Sequence, residues 1–419
     1  MAAYRPRVVD SELREALESV GAVLVEGPKA VGKTWTASQI TRSEVRLDID
    51  DRARAAAEID PSIALIGANP RLIDEWQRVE AIWDHVRRAV DDRGENGLFV
   101  LTGSAVPPDD ETRHVGAGRF LRLRMRPMSL FEAGRSSAGV SLAATLDGMP
   151  VRAGDSGITF PDIADLVVRG GWPRALDLAT PRALRLVRGY ISEIIRADVS
   201  RASGGRQRDS RLVRTLLAAY ARHVGSVASL NAITADVNGA DGSHHRETVA
   251  AYLDTLSRLM IVDELPAWDP NMRSRTRLRS SPVRFFVDPS IGVAALGINA
   301  EALLRDPNTL GFYFENLVIR DLRVYAQAIE ATVFHYRDGK DLEADAIIER
   351  PDGRWAAFEV KMGQNQVDEA AAHLRKLADE RIDTSKMGEP LALGIVTATG
   401  YAYTRSDGVH VIPIGTLCP

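Results

Sequence analysis

The segment Gly27–Thr34, which reads Gly-Pro-Lys-Ala-Val-Gly-Lys-Thr, fits the phosphate-binding pattern G-x-x-x-x-G-K-[ST] at every position. Such a loop surrounds phosphates with backbone N–H groups, so Gly27 and Gly32 have to permit unusual backbone angles. We expect Lys33 to reach the β- and γ-phosphates and Thr34 to place its hydroxyl on Mg²⁺. The spacing therefore predicts a site for ATP with magnesium. The other residues whose backbone would line the phosphates are Pro28, Lys29, Ala30 and Val31.

Two adjacent acids follow the apolar pair Leu72-Ile73, where a strand is expected to end. We expect Asp74 to hold Mg²⁺ through its water shell and Glu75 to polarise the attacking water. The alternative is that both acids only cap the helix that follows, where acidic residues are favoured. The two interpretations are compatible with each other.

A further apolar segment, Leu98–Leu101, becomes abruptly polar at its end. Thr102 and Ser104 are both placed to sense the γ-phosphate, and the sequence does not choose between them. Arg119 precedes another strand-like segment. We expect it to act on the γ-phosphate, as arginines do in phosphoryl transfer, sometimes from a neighbouring subunit of a homo-oligomer. The alternative is an ordinary solvated arginine.

A second set of chemically capable residues lies in the last quarter of the chain. Glu343 and Asp345 are two residues apart in a strand-like segment, and so are Glu359 and Lys361. A spacing of two puts both members of a pair on one face of a strand. A Pro-Asp-Gly turn between the segments predicts a hairpin. Glu315 belongs to a helical segment upstream.

This layout resembles the core of PD-(D/E)xK nucleases. The resemblance implies that Asp345 and Glu359 bind a metal ion, that Lys361 orients or activates water, and that Glu315 completes the site. Metal ions would then stabilise charge on a scissile phosphate. The alternative is a set of solvent-facing polar positions stabilised by ordinary Glu–Lys pairing.

The elements that must position these residues alternate between strands and helices over residues 1–133, which predicts a parallel, three-layer α/β sheet. A strand before the loop and a helix after it are the context that the phosphate-binding motif requires. The predicted strands and helices are Ala22–Glu26, Thr34–Thr41, Glu44–Asp48, Pro70–Asp74, Glu75–Val90 and Gly97–Thr102.

Residues 134–157 are rich in Gly, Ser and Ala and are predicted to be a loop or flexible insertion. Helices are expected over Asp162–Arg201, with a break at Gly170–Pro173, and over residues 208–262. A turn is expected at Asp288-Pro289, followed by a last α/β block at 308–419.

A basic stripe lies between these regions. If the segment is an extended ribbon, four alternating arginines point one way, which suits phosphates of DNA. With the helices before it, the stripe would be the wing of a winged-helix arrangement. The alternatives are a solvated loop or an acidic protein partner. His244-His245 are expected to be loop residues. The four arginines are Arg273, Arg275, Arg277 and Arg279.

Composition limits the class of protein. The chain has 419 residues, 45% hydrophobic residues and a net charge of -4, values typical of a globular protein of two or three domains. No apolar run is long enough to span a membrane, and Met1–Asp10 has no apolar signal core. Cys418 is the only cysteine, which excludes a disulfide framework within one chain. A cytoplasmic protein is the expectation.

Taken together, the motifs resemble AAA-type ATPases joined to a DUF4143 C-terminal region. Trp76 departs from the family pattern, which usually has a small residue there, and this bears on local packing. The resemblance implies an AAA-like core, a helical lid, a winged-helix-like middle and a nuclease-like C-terminal fold. The segments that carry it are Tyr4–Arg7, Gly27–Thr34, Asp74–Gln77, Leu101–Ser104, Gly118-Arg119, Pro127–Glu132, Gly170–Pro173, Phe314–Asn316 and Phe358–Lys361.

We therefore predict four domains: an ATPase core at 1–133, a flexible insertion and helical lid at 134–207, a winged-helix-like domain at 208–300, and a nuclease-like domain at 301–419. The leading hypothesis is an ATP-dependent protein that acts on DNA or is bound to it. The alternatives are a nucleotide-gated module that only holds DNA or a protein, and a regulatory ATPase acting on a protein partner.

Overall fold

A computed structural model of the chain describes residues 3–103, 117–198, 209–270, 281–339 and 342–419. The chain divides into two compact units, Met1–Arg126 with Arg258–Met260, and Pro127–Ser257 with Ile261–Pro419. The division into four domains is finer than this and stays a prediction.

The first unit is built on parallel strands. In chain order they are β1 Ala22–Glu26, β2 Ser43–Arg46, β3 Arg71–Asp74, β4 Phe99–Gly103 and β5 Phe120–Arg124. They form a five-stranded sheet in the order β2-β3-β4-β1-β5, and every neighbouring pair is parallel. The central strands are near-continuous apolar runs because a parallel sheet is covered on both faces. The predicted parallel α/β sheet is confirmed.

The helices of the first unit are α1 Val9–Ser19, α2 Lys33–Ser38, α3 Asp51–Ile59 and α4 Ile82–Arg93. The prediction of a helix from Glu75 was wrong at its start, because Glu75 has a left-handed φ of 53° and only a 3₁₀ turn follows it. Trp76 is 2% exposed and packs against Trp83, with ring centroids 5.3 Å apart. The large side chain is thus accommodated in the core.

The second unit contains most of the helices. Thr159 begins one of them with a capping box that involves Asp162. The turn predicted at Asp288-Pro289 coincides with a bend of the chain, and Asp288 there caps the helix that begins at Pro289 by accepting from Ser290 N. The helices are α5 Leu142–Leu146, α6 Phe160–Arg169, α7 Thr180–Glu193, α8 Ser210–Arg222, α9 Leu230–Asp241, α10 Arg246–Arg258, α11 Pro289–Leu296, α12 Ala300–Arg305, α13 Pro307–Gln327, α14 Val367–Lys376 and α15 Thr384–Met387.

The strands of the second unit are β6 Val140–Ser141, β7 Arg152–Asp155, β8 Thr332–Arg337, β9 Glu343–Glu349, β10 Trp355–Lys361, β11 Leu393–Thr397, β12 Tyr401–Thr404, β13 His410–Pro413 and β14 Leu417–Cys418. A seven-stranded sheet has the order β7-β12-β13-β11-β10-β9-β8. Strands β8, β9 and β10 form an antiparallel meander, whereas β10 and β11 are parallel. Helix α13 packs on β8, β9 and β10, and α14 packs on β10 and β11.

The interpretation of residues 134–157 as a loop or flexible insertion was wrong. Strand β7 pairs with β12 at the edge of the seven-stranded sheet, and β6 pairs with β14. Ser141 Oγ also donates to the carbonyl of Pro419 at 2.6 Å. These pairings join segments far apart in the sequence, so local composition carries no sign of them. In the parts of the chain that the structure describes, no helix is long and apolar enough to cross a membrane.

Candidate nucleotide site and carboxylate–lysine site

The phosphate-binding loop joins the end of β1 to the start of α2, as expected. Gly32 has a φ of 100°, a conformation that glycine adopts at no steric cost. A Cβ on Gly27 would lie 2.2 Å from the carbonyl oxygen of Met125, so only glycine allows this close backbone approach. The two glycines of the motif are therefore required by the geometry of the loop.

Lys33 is 6% exposed and points back onto the loop. Its ammonium donates to the carbonyl oxygens of Gly27 at 2.8 Å and Pro28 at 2.9 Å. Burial lowers the pKa of Lys33 to about 8, against the opposing influence of the nearby carboxylates of Glu75 and Asp74. A triphosphate that binds here must replace both carbonyl oxygens as the acceptors of this ammonium.

Asp74 accepts hydrogen bonds from two hydroxyl groups of the site. It lies at the end of β3 in register with Thr102 on β4. Thr34 donates to Asp74 Oδ1 at 2.8 Å, and Thr102 donates to the same oxygen. A hydroxyl that has donated its one hydrogen keeps its lone pairs, so the oxygen of Thr34 stays able to ligate a hard cation. Thr34 and Asp74 therefore fit a magnesium ion.

Glu75 is half-buried, and its Oε2 accepts from Gln77 Nε2 at 2.5 Å. Burial, and then the charge of Asp74, raise the pKa of Glu75. A carboxylate with a raised pKa is suited to accept a proton from water. The capping alternative was wrong, because the Glu75 side chain makes no cap bond to the 3₁₀ turn that follows it, and α4 begins only at Ile82.

The residues proposed to sense or stabilise the γ-phosphate differ in position. The hydroxyl of Thr102 is bonded to Asp74, and its sensing role stays a prediction. Ser104 lies outside the described residues. Arg119 precedes β5, which runs parallel to β1. It therefore lies at the amino ends of the strands, whereas the phosphate-binding loop follows the carboxyl end of β1. The five residues of β5 span about 15 Å.

A role for Arg119 at the nucleotide of its own chain is therefore wrong. Its guanidinium pairs instead with Asp91 on α4, Nε to Oδ1 at 2.7 Å, and both side chains are well exposed. Action on a neighbouring subunit stays a prediction.

The N-terminal segment contributes residues that the sequence showed only as part of a family pattern. Arg7 is buried, and its guanidinium donates to the carbonyl oxygens of Val31 at 2.9 Å and Arg126 at 2.8 Å. It thereby anchors the N-terminal segment to the phosphate-binding loop. No spacing rule predicts this contact, because 24 residues separate Arg7 from Val31.

The second candidate site lies in the second unit, where the hairpin between β9 and β10 forms as predicted. Arg350 N donates to the carbonyl of Arg354 across the turn. Asp345 Oδ2 accepts from Val360 N at 2.7 Å. Lys361 Nζ donates to Glu359 Oε2 at 2.6 Å and lies 3.8 Å from Asp345 Oδ2.

The charges of this cluster act strongly on one another. Burial, followed by the charge of Asp345, raises the pKa of Glu359 to about 8. Burial alone would lower the pKa of Lys361, but the carboxylates of Asp345 and Glu359 outweigh it and raise that pKa. Burial and then Asp345 also raise the pKa of Glu315 on α13. The structure thus brings together the four residues to which the resemblance assigned roles. The fifth residue of the set, Glu343, pairs with Arg337, Oε1 to Nε at 3.1 Å.

The arrangement does not fit a three-carboxylate metal site. Over the described ranges, no group of three or more His, Cys, Asp and Glu side chains is placed to hold a metal ion. The ammonium of Lys361 lies where a cation would neutralise Asp345 and Glu359. The metal-ligand roles of these two acids stay a prediction.

Several family motifs meet in a buried ion cluster rather than at either site. Arg320 donates to Asp288 Oδ2 at 2.8 Å and to Asp321 Oδ1 at 2.7 Å, and all three side chains are at most 2% exposed. Asp288 also accepts from Gly171 N, and Asp321 from Leu130 N. The Pro127–Glu132 and Gly170–Pro173 motifs are therefore held to α13.

The region expected to contact DNA is described in part. Helices α8, α9 and α10 are followed by antiparallel bridges that join Val262 to Phe286 and Leu265 to Val283. The stripe at Arg273–Arg279 lies outside the described residues. His244 and His245 lie in the connection between α9 and α10, as predicted.

Three family models match consecutive parts of the chain. Residues 19–134 match an AAA domain. Residues 161–302 match a domain of unknown function, DUF8612, and residues 310–417 match another, DUF4143. The AAA match contains the phosphate-binding loop, Asp74 and Glu75. The expected resemblance to AAA-type ATPases joined to DUF4143 is confirmed for these two regions.

Uncharacterized proteins of Mycobacterium bovis and Mycobacterium tuberculosis are each 29% identical to this chain over 357 residues, which is 84% of this chain and 72% of the relative. Among solved structures, a Walker-type ATPase of Pyrococcus abyssi covers 70% of this chain and 99% of its own, with 12% identity and a TM-score of 0.45. A likeness of this degree carries no argument about function. The AAA match and the geometry of the loop support nucleotide binding by an AAA-type P-loop domain.

Proposed function

We propose that the chain binds ATP with Mg²⁺ at the phosphate-binding loop and hydrolyses it. The observation that carries this proposal is the convergence of the Thr34 and Thr102 hydroxyls on one oxygen of Asp74, beside the buried ammonium of Lys33. When bound, magnesium would be held by Thr34 and Asp74 and would neutralise charge on the phosphate oxygens.

Lys33 and Glu75 have separate roles in the proposed reaction. Lys33 exchanges the carbonyls of Gly27 and Pro28 for phosphate oxygens and so stabilises charge on the β- and γ-phosphates. Glu75 orients the attacking water and accepts its proton, for which a raised pKa is favourable.

The test compares nucleotide affinity and phosphate release in purified variants. We expect Lys33→Ala to lose nucleotide binding, and Glu75→Gln to keep binding but stop turnover. Glu95→Gln, which neutralises an exposed acid of the same unit, is the matched control. Equal turnover in Glu75→Gln and the unchanged protein would remove Glu75 from this role.

We further propose that the second unit acts on DNA or holds it. The helices α8 to α10 with the antiparallel bridges after them support a winged-helix-like domain. The succession of α13, the β8–β10 meander, α14 and β11 supports a nuclease-like fold, in which a helix precedes the hairpin that carries the acids. We also propose that the chain is located in the cytoplasm and forms a homo-oligomer, in which Arg119 of one subunit acts on the nucleotide of another.

A second candidate function is a nucleotide-gated module that holds DNA or a protein without cutting it. One observation favours it: Lys361 bonds to Glu359 and lies close to Asp345, so an ammonium already neutralises the acids.

The two functions are separated by incubating labelled DNA with the unchanged protein, Lys361→Ala and Asp345→Ala in the presence of Mg²⁺. Cleavage that both substitutions abolish supports a nuclease. DNA retention that neither substitution alters, without cleavage, supports the holding module. Failure to retain DNA at any salt concentration contradicts both the nuclease and the holding of DNA, and favours a module or an ATPase that acts on a protein.

A further inference from the structure

A large aromatic side chain is exposed next to the phosphate-binding loop. Trp35 directly follows Thr34 and is 42% exposed. Its neighbour Thr36 is buried, whereas Thr34 on the other side is partly exposed. An indole ring is a large apolar surface that proteins usually bury. Trp35 differs from the other exposed apolar side chains in being directly next to a residue of the phosphate-binding loop.

A second ring lies beside the first. The ring centroid of Tyr4 is 6.2 Å from that of Trp35, and the planes are tilted by 56°. The Tyr4 hydroxyl donates to Asp10 Oδ1 at 2.6 Å and lies 3.1 Å from Thr36 Oγ1. These bonds hold the edge of the phenol ring, which lies beside the indole of Trp35.

The segment that carries Tyr4 is tied to the loop itself. Arg7 N donates to Asp10 Oδ2 at 2.9 Å, so Asp10 holds both ends of the segment. The Arg7 guanidinium then bonds to the carbonyl of Val31 in the loop. The two rings therefore have a defined position relative to the phosphate-binding loop, and every one of these contacts lies within the first unit.

We propose that the exposed ring of Trp35, flanked by the tilted ring of Tyr4, is the platform on which the purine base of the bound nucleotide stacks. The inference rests on the proposed function, because the phosphates must first be held at Lys33 and Thr34. Trp35 is the first residue after the loop, so its exposed ring is the large apolar surface nearest in sequence to the phosphate-binding residues. Stacking of a base on an aromatic ring increases affinity by about 5- to 100-fold.

The test measures dissociation constants by calorimetry at fixed Mg²⁺ for two probes, ATP and inorganic tripolyphosphate, the second of which has no base. We expect Trp35→Ala to weaken ATP binding by about 5- to 100-fold and to leave tripolyphosphate binding unchanged. Trp35→Phe should restore most of the ATP affinity. CTP, whose smaller ring stacks less, should bind more weakly than ATP to the unchanged protein, and Trp35→Ala should remove that difference.

The matched control is Ile59→Ala, which shortens an apolar side chain that is 87% exposed at the end of α3. It should alter neither affinity. Equal losses for ATP and tripolyphosphate in Trp35→Ala would overturn the platform, because they would show a damaged loop. Unchanged ATP affinity in Trp35→Ala would also overturn it while leaving the proposed function intact. If the unchanged protein binds neither probe, the proposed function fails and the platform with it.

Discussion

The pH dependence of nucleotide binding offers a direct test of the environment of Lys33. Without nucleotide, the pKa of this buried ammonium is lowered to about 8. A bound triphosphate surrounds it with negative charge and raises the pKa again. Below pH 8 the group is charged in both states, so affinity is flat. Above pH 8 binding has to take up a proton, so affinity falls as pH rises.

The magnitude follows from the pKa. The fraction of Lys33 that is already protonated falls from about nine-tenths at pH 7 to about one-tenth at pH 9 when the pKa is about 8. The dissociation constant of ATP should therefore rise about tenfold between these two pH values, which corresponds to roughly 1.4 kcal/mol.

Calorimetric titration of ATP at pH 7, 8 and 9, with Mg²⁺ held constant, measures this change. Repeating the titration in buffers with different ionisation enthalpies counts the protons taken up, which should approach one at pH 9. Lys33→Arg is the control, since a guanidinium stays protonated throughout, and any binding it retains should lose the pH dependence. A constant affinity from pH 7 to 9, without proton uptake, would refute the assignment of a lowered pKa.

Three further predictions concern single side chains. Thr34→Val should reduce Mg²⁺-dependent ATP turnover about 10- to 100-fold, because it removes both the ligand oxygen and the bond to Asp74. Thr34→Ser should keep most of the turnover, and phosphate release measures the turnover of both variants. Arg7→Ala should weaken ATP binding by leaving the Val31 carbonyl without its guanidinium donor, at a cost of about 1 to 3 kcal/mol, and equal ATP affinity before and after the change would contradict this. Arg320→Met should lower the free energy of unfolding by about 3 to 5 kcal/mol in urea titrations, since it leaves buried carboxylates unpaired; a loss below about 1 kcal/mol would show that the ion cluster is dispensable.

Much of the nucleotide site could be predicted because its parts are short and contiguous. The loop from Gly27 to Thr34 is one unbroken motif, and Asp74 follows an apolar strand whose end is visible in the sequence. The hairpin that carries Asp345 and Glu359 was predictable for the same reason, since a strong turn lies between two alternating segments.

The errors arose where long-range strand pairing or chain direction mattered. Arg119 directly precedes β5 in sequence. Because β5 runs parallel to β1, Arg119 lies at the end of the strands that is opposite the phosphate-binding loop. Residues 134–157 have the composition of a loop, yet β7 gains partners from strand β12 near the other end of the chain. The start of α4 was displaced because the left-handed backbone at Glu75 interrupts the helix.

The sequence by itself determined where phosphates are expected to bind, because the residues that wrap a phosphate must be neighbours in the chain. The tertiary structure decided which distant groups meet them. Thr102 reaches Asp74 only because β4 lies beside β3 in the sheet. Arg7 reaches the loop only through packing of the N-terminal segment, and Asp345 accepts from Val360 N only because β9 lies beside β10. Such contacts depend on strand order and on desolvation, which belong to the folded chain as a whole.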